Sequence, residues 1–282
     1  MIEFWITELK SEEEQFSVPS SVGTWDFNRR DDYASLLSKV EEGQCAPTYY
    51  AFNGAITHAT SDHDFMVATG ELIDICLILS FLTAACVTPK GNTPQSDATF
   101  LALGDSFIRP RAISGFMPLA TNHSMAGYFS RGLPAIGSSF KARRMRLFLS
   151  HWISGLTCFS LEDLFLSVGI QMDIVKQCEI VASGKALHYY DGMTAASSRY
   201  SIQPLSREYC NMRNDLVHEG VLSGKHFKRK NKAQCSQVVA SSLNWIDRYV
   251  AAVLSIGVSQ SLPARWNGKH LEHGLPALSL YL

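Results

Sequence analysis

The sequence predicts an α+β domain over residues 1–135, followed by an all-α helical-bundle domain over residues 136–282. Two changes along the chain, together with its length, predict this. Up to about residue 135 short β-favouring runs alternate with turn-rich stretches, and beyond it apolar residues recur at helical spacing. Charge changes at the same place. Residues 1–130 carry 7 Lys/Arg against 16 Asp/Glu, a balance of −9, and residues 131–282 carry 18 against 10, a balance of +8, in a chain of net charge −1. At 282 residues the chain is long enough for one large domain or two ordinary ones.

The elements follow in order. "IEFWITEL" (2–9), "PTYYAFNGAITHAT" (47–60) and "ATFLALGDSFI" (98–108) are rich in aromatic and β-branched residues and read as strands. "PSSVGTWD" (19–26) and "TPKGNTPQSD" (88–97) read as turns. Between them Thr69 to Val87 is too long an apolar run for a strand and reads as a buried helix. Its most apolar part, Ile75 to Val87, falls short of the about 20 residues that a bilayer span needs, and Asp74 and Lys90 flank it. Helices are expected from "IGSSFKARRMRLFLSHW" (136–152) onward. In Leu161–Leu187, Leu161, Leu164, Phe165 and Val168 share one helical face, with Gly169 read as a kink or break and Gly184 at the end. Val239, Leu243, Ile246, Val250 and Val253 form the stripe of a long amphipathic helix, ended at Gly257.

The seven cysteines are odd in number, scattered and without a C-x-x-C pair, which is the pattern of reduced thiols and not of a disulfide frame or zinc site. The acidic N-terminus "MIEFWITELKSEEEQ" lacks the order of a secretory signal. A cytoplasmic protein with no membrane partner is expected. The basic second half suits a polyanion, and mutual attraction between the two halves is the alternative reading of the split.

The stretch "YCNMRNDLVHEGVLSG" (209–224) concentrates chemistry. Pro204 opens a helix and Gly220 closes it, with Leu205, Tyr209, Met212 and Leu216 on the buried face. Asn214 and His218 lie four apart and share a face. Arg213 precedes His218 by five residues, about 140° around an ideal helix and about 7.5 Å along it. The two therefore do not stack, and a site that uses both asks for a second surface.

"RNDLVH", preceded by "SLEDLF" and followed directly by Gly220, resembles the signature of the HEPN family of all-helical domains, including its antiphage and toxin-like branches. The resemblance covers roughly residues 140 to 258. It implies a metal-independent endoribonuclease that acts as a homodimer in which two such helices face one another, with Arg213, His218 and Asn214 as catalytic residues and no cofactor. It also implies a 2′,3′-cyclic phosphate product. In one branch a modified Tyr follows the His by two residues; here Gly220 stands there, so regulation by that route is not expected.

The chemistry suits these residue types. RNA carries its own nucleophile, the 2′-hydroxyl, so an enzyme must remove that proton, stabilise the phosphorane and protonate the 5′-oxygen. Histidine takes either proton-transfer role near neutral pH. Arginine offers a fixed charge and a planar fork that matches phosphate oxygens. Asn214 is placed to orient the imidazole or hold a phosphate oxygen, and Glu162 to brace Arg213 or His218 from the neighbouring helix. An isolated Arg/His pair near a helix C-terminus is otherwise a favourable surface feature.

Behind the motif lies "KHFKRKNK" (225–232), in which Lys225, Lys228, Arg229, Lys230 and Lys232 are expected to follow an RNA backbone and Phe227 to stack a base. "KARRMR" (141–146) reads as a soluble helix end, "SDHDF" as a polar loop and not a metal site, and "HLEH" (270–273) as surface. "GLPAIGSS" and "LALGDS" lack the partners that a phosphate loop or a hydrolase serine needs. The expected function is a toxin or antiphage defence effector whose acidic N-terminal domain answers to a regulatory protein or phage-derived trigger. The alternatives are a catalytically silent helical module that binds nucleic acid or scaffolds a complex, and a protein-binding sensor.

Overall fold

The computed structural model describes residues 2–42, 44, 46–57, 60–91, 125–129, 132–228, 230–256 and 262–280. Two compact units divide between Ser138 and Ser139. The N-terminal unit is built on a five-stranded antiparallel sheet, and the C-terminal unit is helical.

The sheet comprises β1 (Ile2–Thr7), β2 (Gln15–Pro19), β3 (Thr24–Arg29), β4 (Pro47–Asn53) and β5 (Thr88–Gly91) in the order β2-β3-β4-β1-β5. Alternation along the strands sets its inner face. Phe4, Ile6, Phe16, Val18, Trp25, Phe27, Tyr49 and Ala51 are buried, while their neighbours in sequence on β2 are exposed. The Phe16 and Phe27 rings, cross-strand partners, stack at 4.7 Å. The turn between β2 and β3 needs its glycine: Gly23 has φ +72°, and a Cβ there would lie 2.6 Å from that of Ala55. "TPKG", expected as a turn, is the edge strand β5 paired with β1; an edge is where a strand tolerates a proline that has no N–H to donate.

Two helices accompany the sheet, α1 (Tyr33–Glu41) and α2 (Asp62–Thr83). The second begins seven residues before the expected Thr69. "SDHDF" is its cap and first turn and not a loop, because the Ser61 hydroxyl accepts from the Asp64 N–H at 3.2 Å and Asp62 and Asp64 sit where the helix dipole favours negative charge. With 22 residues, α2 is long and apolar enough to cross a membrane by composition alone, and 56% of its most apolar window is buried inside the protein. "ATFLALGDSFI" lies outside the described residues.

Helices α3 (Met125–Phe129) and α4 (Gly132–Ala142) lead to the second unit, formed by α5 (Met145–Gly155), α6 (Leu161–Ser183), α7 (Tyr189–Tyr200), α8 (Arg207–Glu219), α9 (Lys232–Val253) and α10 (Gly268–Gly274). Helix α6 packs against α5, α7, α8 and α9. Ser160 caps its start and Gly184, at φ +66°, its end. Gly169 was expected as a kink or break, and the helix continues through it without a break. A glycine costs a helix about 1 kcal/mol, and buried Phe165, Val168 and Met172 on either side outweigh that. Helix α9 starts with a full capping box between Asn231 and Gln234, and its stripe of Val239, Leu243, Ile246, Val250 and Val253 is buried. It stops at Val253; Gly257 lies outside the described residues.

Charges are also used inside this unit. Arg143, from "KARRMR", reaches buried Glu179 at 2.6 Å, and Arg199 binds the same carboxylate at 2.9 Å. Asp247 on α9 holds Arg265 through two contacts of 2.8 and 2.9 Å and takes the Trp266 indole N–H at 2.8 Å, all buried. His270 and His273 of "HLEH" lie on α10 and are exposed. The described cysteines are free, with Cys76, Cys178 and Cys235 buried.

Candidate functional site

Helix α8 carries the motif. Ser206 caps its start by accepting from the Glu208 N–H at 3.2 Å, and Gly220, at φ +74°, ends it with its N–H on the Leu216 carbonyl at 3.1 Å. Leu205, Tyr209, Met212 and Leu216 are buried as their spacing predicts. That burial turns Arg213 and Asn214 to the half-exposed flank and leaves His218 exposed near the C-terminal end.

Arg213 is held at two points. Its guanidinium carbon lies 4.2 Å from the centre of the Tyr189 ring, at the first residue of α7, and its Nη2 lies 3.7 Å from Asp173 Oδ2 on α6. The Tyr189 hydroxyl sits 2.6 Å from that of Tyr209 and donates to the Gly169 carbonyl at 3.2 Å. Burial pushes the ionisation of both tyrosines well above the usual range, so both hydroxyls stay protonated. Among the described residues no hydrogen bond or ion pair joins Arg213, Asn214 and His218 to one another.

Asp215, inside the motif, faces the other way. Fully buried, its carboxylate accepts the backbone N–H groups of Gly224 at 2.8 Å, His226 at 2.9 Å and Phe227 at 2.6 Å. Burial alone would raise its pKa; the three N–H donors, helped by His226, hold it below the usual carboxylate range. Gly224 passes so close that a Cβ would strike the Asp215 and Glu219 side chains. The basic tract is thus wound onto the C-terminal half of the helix that carries the motif. Asp215, Glu219 and His226 place ligand-type atoms within 4.8 Å of one another, but both Asp215 oxygens are committed to N–H groups and Glu219 takes the Lys225 N–H and ammonium, each at 3.3 Å.

Within the tract Lys225 and Lys228 are exposed, Lys232 is half-buried, and Lys230 lies 3.7 Å from Glu208; Arg229 lies outside the described residues. Phe227 was expected to stack a base. It is 3% exposed, with Lys230 5.4 Å from its ring centre, so its ring is committed to the core. Glu162 was expected to brace Arg213 or His218. Instead it accepts from the Ser279 hydroxyl at 2.7 Å and from the backbone N–H groups of Ser279 at 2.9 Å and Leu278 at 3.2 Å. Burial works to raise its pKa, and these bonds hold it below the usual range. Tyr189, Asp173 and Asp215 escaped the sequence reading. Asp215 stood in the quoted motif, whereas Tyr189 and Asp173 reach Arg213 from other helices, and no local spacing signals that.

No family model, no curated protein and no solved structure matches the chain.

Proposed function

We propose that the C-terminal unit is an endoribonuclease of HEPN type that works without a metal and builds its site across a homodimer. The observation that carries this reading is the setting of Arg213. The guanidinium is stacked, loosely paired and half exposed, on the same helix as an exposed His218. Leu166 (44% exposed) and Ile170 (45%) lie two turns and one turn before Asp173 on α6, and Val217 (48%) lies one turn after Arg213. Three large apolar side chains around one ion pair suit burial by a second copy, which would supply the second surface that the Arg213–His218 spacing asks for.

In the proposed reaction the 2′-oxygen attacks the adjacent phosphorus and its proton passes to a base. The bond from phosphorus to the 5′-oxygen breaks, and the leaving oxygen takes a proton. His218 serves one of these transfers, Arg213 balances the charge gathered on the phosphorane, and Asn214 holds the ring or a phosphate oxygen. Exposed Lys225 and Lys228 lie on the path of the flanking strand. The biological role that fits is a cytoplasmic toxin or antiphage effector, with the acidic N-terminal unit answering to a regulatory protein or phage-derived trigger.

Labelled RNA incubated with the protein in EDTA tests this. Cleavage to 2′,3′-cyclic phosphate ends is expected, with Arg213→Ala and His218→Ala each losing about a hundredfold or more while staying folded. Salt-sensitive binding without cleavage would favour the silent nucleic-acid-binding module. Neither binding nor cleavage would favour the protein-binding sensor, for which the same apolar patch is the docking face.

A further inference from the structure

The geometry points to Tyr189 as the positioning residue of Arg213, an assignment that rests on Arg213 acting as a phosphate ligand. Tyr189 opens α7, and its ring is clamped at the rim. The hydroxyl donates to the Gly169 carbonyl of α6 at 3.2 Å and meets the hydroxyl of buried Tyr209 on α8 at 2.6 Å. The Tyr189 and Tyr209 rings stack at 6.0 Å and 14°, and Tyr209 meets Phe165 edge-on at 5.2 Å. Three helices therefore fix the plane on which the guanidinium rests, 4.2 Å from the ring centre.

That mode of holding matters chemically. A ring under the guanidinium attracts its charge through the π face, and the Tyr189 hydroxyl also interacts with it. The Nη2 edge that faces Asp173 is the one offered to phosphate oxygens. In the absence of RNA that edge meets Asp173, a carboxylate 48% exposed and 3.7 Å away, which is a weak and displaceable partner. Tyr189 thus prepays the orientation of Arg213, and Asp173 occupies the phosphate position until RNA arrives.

The test compares Tyr189→Leu and Tyr189→Phe, each in the wild-type and Arg213→Ala backgrounds. Single-turnover cleavage of labelled RNA, affinity for an uncleavable 2′-O-methyl RNA and the Arg213 Hε resonance are measured. Loss of the ring is expected to slow cleavage about tenfold and weaken binding, with no further loss once Arg213 is gone. Phe keeps the ring and loses about threefold at most. The Hε resonance is expected to be ring-shifted in wild type and Phe and ordinary in Leu. Equal losses from Leu in both backgrounds, or an unshifted resonance in the wild type, overturn the positioning role. Arg213→Ala cleaving and binding as the wild type does overturns the ribonuclease reading and the role with it, even where the shifted resonance shows the stack intact.

Discussion

Arg213 and Asp215 stand two residues apart on one helix and do opposite work. Arg213 turns outward onto Tyr189, and Asp215 turns inward to collect three backbone N–H groups from the loop behind it. The sequence marked Arg213 because a planar cation beside a histidine has an obvious use. It left Asp215 unremarked, because its partners are main-chain atoms that no side-chain pattern announces. Asp215→Asn keeps the shape but replaces one carboxylate oxygen with a donor that faces other donors, so it is expected to cost on the order of 2 kcal/mol. The pH dependence follows from its lowered pKa. The carboxylate's contribution is complete above the unfolded value of about 3.9 and disappears as pH falls through the still lower folded value. Denaturant midpoints measured from pH 7 to pH 3 are expected to fall more steeply for the wild type than for Asp215→Asn. Parallel curves would refute the account.

Helix α8 was legible almost to the residue. The Leu205–Tyr209–Met212–Leu216 face is buried and Gly220 is the stop, as expected, but the helix starts at Arg207 behind the Ser206 cap, three residues past Pro204. Two elements of the N-terminal unit with the composition of loops were misread. "TPKG" is an edge strand held by the distant β1 ladder, whereas "SDHDF" is a capped first turn whose Ser61–Asp64 signal lies within the segment itself. The Glu162 brace and the Phe227 platform failed as "TPKG" did, since each found a partner distant in sequence or in the core. At the helix stop the prediction is direct. Gly220→Ala forces a Cβ into φ +74° and is expected to destabilise the helical unit by about 1 kcal/mol. A thermal midpoint equal to that of the wild type would show that the terminus relaxes at no cost.

At the scale of the whole molecule, the proposed site needs a second copy, and the apolar patch beside Arg213 is the face assigned to it. Leu166→Glu with Ile170→Glu places two carboxylates next to Asp173 on the face assigned to the second copy. Sedimentation is expected to show a monomer, with RNA cleavage lost by about tenfold or more, because like charges brought together across an interface cost several kcal/mol. A monomer that still cleaves at full rate would place the whole site within one chain.

The stretch from Arg265 to Ser279 satisfies charges buried far earlier in the chain: Asp247 waits for Arg265 and Trp266, and Glu162 for Leu278 and Ser279. The helical unit is therefore expected to complete its buried polar contacts only once the Arg265–Ser279 stretch has been made, well after α6.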